Sequence, residues 1–352
     1  MEGECRSIRV AALFGFSAAT FAFATSTQSQ TRSSTSSFTR KNVEQAPTRF
    51  PLTLPKRGPV TLQLEILLDR AGFSPGIIDG AWGINAAKAL TFFAFPDDSR
   101  QFTGDSPPAV TSIDAETYGR LRAAARTKPL LRWYTVSSGD LGGPFTTIPQ
   151  NVYQQAKLSC LCYSSPAEAL AERFHTSPKF LAQLNPKVKL ESLEEGTRLL
   201  VPDVELDGSA LPQDTAIAER IIISKKGFWT HVIDSEGRII YHFPSTLGAG
   251  YDPSPTGDFK VTDITHDPAF RYQPKLFAEV PDSDPQALLP RGPNSPVGVV
   301  WISLSKRHYG IHGTSSPETI GYANSHGCVR LTNWDALRLS ELADIGTPVQ
   351  FR

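Results

Sequence analysis

The spacing of apolar positions divides this chain into stretches of different texture. In residues 58–126 they recur at helical intervals: Leu62, Leu64, Leu67, Leu68 and Ala71 make one stripe, which Gly72 can end. Ser74-Pro75-Gly76 and Ile78-Asp79-Gly80 mark turns, and Asn85 is placed to cap a second helix through Ala89, Leu90 and Phe93. A third helix is expected from Asp114 through Tyr118 and Leu121. In residues 130–204 the texture is mixed. Tyr134-Thr135-Val136 reads as a strand, one helix follows Ser165 through Leu170 and Phe174, a second follows Ser177, and 198–202 reads as a return strand. A long insertion, 141–164, separates the first strand from the first of these helices.

Beyond Pro212 the runs shorten and alternate. Strands are expected at 221–224, 228–233, 238–243, 257–262, 297–304, 309–312 and 348–351, with one helix starting near Asn333 and stopping at Gly346. Mostly strand with a single helix implies a β-sandwich or barrel. The fold class is therefore multidomain: a small all-α three-helix unit, a small α+β unit, and a mostly-β unit at 215–352.

Composition changes this picture at the N-terminus. Arg6 and Arg9 precede an apolar run, 10–24, that ends in Ala22-Phe23-Ala24, the pattern of a secretion signal at 1–24. The run is short for a membrane span, which needs roughly 20 residues; an uncleaved anchor is the alternative. Residues 25–57 open Ser/Thr/Gln-rich and read as a linker. Thirty-five basic residues balance thirty-five acidic ones, which gives no reason to expect nucleic acid as a partner.

Cys5 leaves with the signal, so Cys160, Cys162 and Cys328 are left in an exported compartment. Cys160 and Cys162 can pair with each other or be small buried residues, and they lack the second pair that a structural zinc site needs. Cys328 lies in Ser325-His326-Gly327-Cys328-Val329-Arg330, with His312 upstream in Gly310-Ile311-His312-Gly313-Thr314. A free thiol titrates near ~8.5, so a nucleophilic cysteine needs a neighbour that takes its proton, and histidine is the usual one. Gly313 and Gly327 permit close backbone approach. His308 and His312 are four apart, but Tyr309 to Gly313 reads as strand and turn, so no metal site is expected. A buried, inert thiol is the competing reading of Cys328, and His231, His242 and His266 carry no expected role.

The motifs Ser254-Pro255-Thr256-Gly257-Asp258-Phe259, Gly292-Pro293, Pro296-Val297-Gly298, Ile311-His312-Gly313-Thr314 and Ser325-His326-Gly327-Cys328-Val329-Arg330-Leu331 resemble, in this order, the catalytic domain of L,D-transpeptidases. Ala323 stands where many members have proline. The resemblance implies that Cys328 attacks the bond after the third residue of a peptidoglycan stem, releases D-alanine, and passes the acyl group to an amine. His312 matches the base, oriented by the Gly313 carbonyl. Amides around Gly327 and Cys328 match the oxyanion donors, and His326 shapes that hole or orients substrate. Arg330 meets a stem carboxylate, and Ser325 holds the loop. No cofactor is implied, and carbapenem-type inhibitors are. Residues 58–126, with Ile78-Asp79-Gly80 and Gly83, resemble the peptidoglycan-binding type 1 module, and 130–204 resemble LysM apart from the insertion; both imply peptidoglycan, the latter its glycan strands, as partner. Water as acceptor would make an L,D-carboxypeptidase, and a degenerate site a non-catalytic wall-binding protein.

Overall fold

The computed structural model describes residues 38–96, 110–125, 129–204, 218–250, 252–277 and 280–352. The expected signal at 1–24, with Cys5, and the linker up to residue 37 lie outside the described residues. Residues 38–57 carry a helix and a short strand, contrary to the expectation of linker through 57. Helix α1 (Arg40–Glu44) is capped by the Thr39 side chain and buries Val43 completely. A Ser/Thr-rich composition hid this because one buried valine and one cap make no periodic pattern.

Helices α2 (Pro59–Arg70), α3 (Ile84–Ala94) and α4 (Ala115–Ala124) fall where three helices were expected. Proline starts α2, where its missing N–H is no loss. Asp114, where the third helix was expected to begin, caps α4 through its side chain, whereas Gly83, not Asn85, precedes α3. Asn85 is instead buried and donates to the Ile320 carbonyl at 2.9 Å. In the second unit, strands β1 (Leu131–Thr135) and β2 (Arg198–Pro202) pair antiparallel, and helices α5 (Pro166–Arg173) and α6 (Pro178–Leu184) lie between them in sequence. Ser165 and Ser177 cap these helices through their side chains.

The third unit is one eight-stranded sheet. Its strands are β3 (Arg220–Ser224), β4 (Trp229–Ile233), β5 (Ile239–Pro244), β6 (Gly257–His266), β7 (Val300–Leu304), β8 (Gly310–His312), β9 (Val329–Arg330) and β10 (Pro348–Phe351). The spatial order is β9-β8-β7-β6-β10-β3-β4-β5, with β8/β9 and β10/β3 parallel. Ladder order leaves β9 and β5 as opposite edges, which is neither a sandwich of two sheets nor a closed ladder. The sheet nevertheless curls: Thr246, just past β5, exchanges backbone hydrogen bonds with Arg330 of β9 at 2.9 Å each way. Helix α7 (Asn333–Leu342) packs Ala336, Leu339 and Leu342 into the core under β7; it ends at Leu342, ahead of Gly346.

The sheet and the second unit each keep a buried cluster of their own, and a third cluster is shared by all three units. Leu62, Leu67, Leu90 and Phe92 belong to one buried cluster with Phe180 and Leu200 of the second unit and Ile222, Trp229 and Ile239 of the sheet. The free edge of β5 is covered from the helical unit: Ser74 donates to His242 and His242 donates to Gly72, at 2.8 and 2.9 Å. An unpaired strand edge is an aggregation hazard, and this contact removes it. His231 and His242 are core residues, their rings 3.0 Å apart through Nε2 and Nδ1, with Phe92 packed on both. Lys88 of α3 enters the same interface and donates to the Gly227 carbonyl at 2.6 Å. No helix among the described residues is long and apolar enough to cross a membrane.

A shared core predicts shared unfolding. Phe92→Ala should cost about 3–5 kcal/mol and lower one common transition followed by both far-ultraviolet dichroism and tryptophan fluorescence. A second transition left in place by the substitution would show that the helical unit and the sheet fold independently.

Candidate active site

Two short strands position the sulfur and the imidazole. β8 ends at His312, β9 begins one residue after Cys328, and the parallel register sets Ile311 against Val329 and His312 against Arg330. Cys328 therefore falls beside Gly310, two residues before His312 on its strand. Burial pushes the Cys328 thiol up to about 11, although the Gly310 amide, hydrogen-bonded to the sulfur, and the Arg330 charge both draw it down. The sulfur also lies 3.7 Å from the His308 carbonyl oxygen.

His312 is 4% exposed and stacks on Trp301, with ring centroids 5.2 Å apart. Its Nδ1 lies 2.7 Å from the Gly313 carbonyl oxygen. A carbonyl only accepts, so Nδ1 carries the hydrogen and Nε2 keeps its lone pair. Burial, then the Arg330 charge, holds this imidazole down at about 3, and the Gly313 bond offsets only part of that. Thiol and imidazole are thus both neutral near pH 7, with Nε2 able to accept a proton.

The loop that carries Cys328 is tied down through its carbonyls. Ser325, 1% exposed, donates to the Cys328 carbonyl at 2.5 Å. Ser254 accepts from the Gly248 amide at 2.9 Å and donates to the Gly327 carbonyl at 2.7 Å. In a trans peptide C=O and N–H point in opposite directions, so fixing the Gly327 oxygen aims the Cys328 amide away from Ser254. Gly327 has φ +91°, and a Cβ there would sit 2.9 Å from the Tyr309 ring, so a side chain at this position meets both strain and a clash. His326 rests half-buried against the Phe277 ring, centroids 4.9 Å apart. Arg330 lies close enough to lower both the thiol and the imidazole, and its side chain lines a cavity with Thr314 and Asn294.

One residue that the sequence marked only as a helix start joins these parts. Asn333 is 1% exposed, and its Oδ1 accepts from the amides of Thr314 and Val299 at 3.1 and 3.3 Å. Its Nδ2 donates to the Pro293 carbonyl at 3.1 Å and to Glu172 Oε1 at 2.9 Å. Glu172 belongs to α5, in the second unit, and also accepts from the Tyr163 hydroxyl at 2.8 Å. Burial raises the Glu172 carboxyl to about 7, against the opposing effect of these two hydrogen bonds. Neither Glu172 nor Ser254 had been assigned a role. Ser254 was within reach, since it opens a quoted motif, but the Asn333 to Glu172 contact spans 161 residues and leaves no local trace. Among the described residues no group of three His, Cys, Asp or Glu side chains is placed to hold a metal ion.

Glu172→Gln tests this chain of contacts, because both bonds end on Oε1 and an amide oxygen can keep them. The folded carboxyl holds its proton up to about 7, well above the ordinary value of 4.5. Folding therefore takes up a proton between those values, and wild-type stability falls as pH rises through that window. Thermal unfolding at pH 5 and pH 8 should show the variant gaining on wild type as pH rises, by about 3 kcal/mol at most. An unchanged difference would mean that Glu172 is ionised throughout.

Residues 218–351 match the family model described as the L,D-transpeptidase catalytic domain. The chain is 30% identical over 181 residues to YkuD of Bacillus subtilis, covering 51% of this chain and 90% of that protein. It is also 30% identical over 191 residues to YbiS of Escherichia coli K12, covering 53% of this chain and 60% of that one. Both relatives are named as candidate L,D-transpeptidases. Among solved structures, an L,D-transpeptidase from Mycobacterium smegmatis aligns with TM-score 0.31 and 21% identity, covering 38% of this chain and 57% of that one.

Proposed function

The chain belongs to the L,D-transpeptidase family, and from that premise we propose that it is a peptidoglycan L,D-transpeptidase with Cys328 as nucleophile. The observation that carries this reading is the pairing of β8 with β9. It sets a thiol beside Gly310 and, two residues on, a neutral imidazole whose Nδ1 is already committed to Gly313.

In the proposed reaction the Cys328 sulfur attacks the carbonyl after the third residue of a tetrapeptide stem. His312 Nε2 takes the thiol proton as the S–C bond forms. A resting thiol near 11 beside an imidazole near 3 disfavours a preformed ion pair, so transfer accompanies attack and does not precede it. The tetrahedral oxyanion lies toward the Cys328 amide, whose direction is fixed through Ser254 and Gly327; such a donor is worth about 10²–10³ in rate in other acyl-transfer enzymes. The imidazolium returns its proton to the departing D-alanine nitrogen, leaving a thioester. An amine then attacks the thioester carbonyl, the C–S bond breaks and the thiol is restored, giving a cross-link or an attachment to another amine-bearing acceptor. Arg330 binds the carboxylate of the acceptor stem, and His326, against Phe277, lines the approach to the nucleophile.

Residues 58–126 and 130–204 serve, in this reading, as peptidoglycan-binding type 1-like and LysM-like modules that hold the enzyme on its polymeric substrate. The support is their helical and strand-helix-helix-strand order. The site of action is the cell envelope of a bacterium, after export directed by residues 1–24.

Purified full-length chain supplied with tetrapeptide-stem muropeptides should yield cross-linked dimers, and Cys328→Ala should yield none above background. Dimer formation by that variant would falsify the cysteine mechanism, and a hydrolysed tripeptide as the sole wild-type product would make the enzyme an L,D-carboxypeptidase. Incubation with a carbapenem should add one inhibitor mass, located on Cys328 by peptide mapping; an adduct located elsewhere overturns the assignment.

A further inference from the structure

The insertion 141–164, which separates β1 from α5, is bound to the sheet's loops. Leu161 donates to the Arg291 carbonyl, and the Asn294 amide donates to the Leu161 carbonyl, both at 2.9 Å. Asn294 Nδ2 reaches the Cys162 carbonyl at 3.0 Å and Glu168 Oε1 at 2.9 Å. Tyr153 donates to the Pro285 carbonyl at 3.1 Å, and a disulfide between Cys160 and Cys162 closes the turn at the centre of the contact. The expectation left the pairing of these two cysteines open; they are bonded, and the bonded turn is the part that docks.

Between this insertion and the sheet lies a cavity of about 650 Å³. One wall carries Thr147, Ile148 and Glu168, and the other carries Thr314, Ser316 and Arg330. Thr314 lies two residues past His312, and Arg330 two residues past Cys328, so the cavity adjoins the ends of both strands that bear the reacting groups. A guanidinium on one wall and a carboxylate on the other, with hydroxyls between them, match a ligand that bears both charges at one end. An α-amino-acid end, with ammonium and carboxylate on a single carbon, has that character. The amine that attacks a thioester on Cys328 must give its proton to His312, and it therefore approaches from the His312 side, where Thr314 stands.

We propose that this cavity is the acyl-acceptor subsite, that its ligand is the amine-bearing α-amino-acid end of the acceptor, and that the insertion of the neighbouring unit builds half of it. The inference rests on the transpeptidase reading above. The ammonium form enters and sheds one proton to solvent, and the free amine attacks the thioester carbonyl. An N–C bond forms, the C–S bond breaks, and the second amine proton passes through His312 to the Cys328 sulfur. Arg330 holds the acceptor carboxylate, Glu168 draws in the ammonium, and the insertion wall excludes water that would otherwise hydrolyse the thioester.

The full-length chain is to be given a tetrapeptide-stem muropeptide as donor and a free D-amino acid, or its carboxamide, as acceptor, with products and the Cys328 thioester read by mass spectrometry. Wild type should show a KM for the free acid at least tenfold below that for the carboxamide. Thr147→Trp, a substitution at an exposed position that fills the cavity from the insertion side, should lower the ratio of transfer to hydrolysis about tenfold. Glu168→Gln, which can still accept from Asn294 but gives up the bond that Oε2 accepts from the Ser164 amide, should raise the acceptor KM several-fold. Formation of the thioester by each variant shows that it is folded. If the thioester forms and the transfer-to-hydrolysis ratio is the same in wild type and both variants, the subsite assignment is wrong. A rise in donor KM at a constant ratio also overturns it, by placing the donor stem there. Absence of any thioester in wild type would instead strike the transpeptidase reading.

Discussion

A buried carboxamide has two acceptor and two donor positions to satisfy, and Asn333 satisfies all four within the protein. Its oxygen holds the amides of Val299 and Thr314, and its nitrogen holds Pro293 and Glu172. The neighbouring backbone is built around it: a Cβ at Gly298 or Gly313 would lie 2.0 or 2.1 Å from Oδ1. Two glycines of the quoted motifs are thus required by an asparagine outside those motifs. Gly313 in turn supplies the carbonyl that fixes the His312 tautomer. The orientation of the proposed base therefore depends on a hydrogen-bonded side chain at the start of α7 and, through Glu172, on a helix of another unit. Leaving any buried member of such a set unpaired costs about 1–3 kcal/mol, so the set favours one arrangement.

The same dependence runs through the rest of the molecule. The helical unit covers the β5 edge, the second unit reaches the sheet through Glu172 and the insertion, and α1 closes over α2. The auxiliary units are packed against the enzyme, and the sheet's own edges are joined through Thr246 and Arg330. That junction explains where the proposed nucleophile sits. The loop carrying Cys328 is gripped between Ser254, Ser325 and Tyr309 at the place where the curled sheet meets itself.

Much of this was legible from residue types. Alternating apolar runs located seven of the eight strands to within a few residues, and the eighth, Val329–Arg330, lies within a motif that was quoted as a site instead of a strand. Ser165, Ser177 and Asp114 announced their helices. The arrangement of the strands was not legible, because sandwich, barrel and curled sheet share one period-two pattern. Asn85 reads as a cap by type but serves as a contact to Ile320, and Val43 sits in a polar stretch yet is fully buried. Glu172 meets Asn333, and the docked insertion meets Asn294, across more than a hundred residues of sequence. Such contacts are fixed by packing and leave no local spacing to read.

The central claim is that His312 is a neutral base, held by Gly313 and ready to accept a proton only during attack. Nitrogen NMR of the imidazoles in full-length chain labelled at histidine tests it directly, with a His312→Gln variant to assign the resonance. The account predicts that His312 stays neutral from pH 8 down to pH 5, with the hydrogen on Nδ1. Titration of that resonance near 6.5, or an imidazolium already present at pH 7, would contradict it.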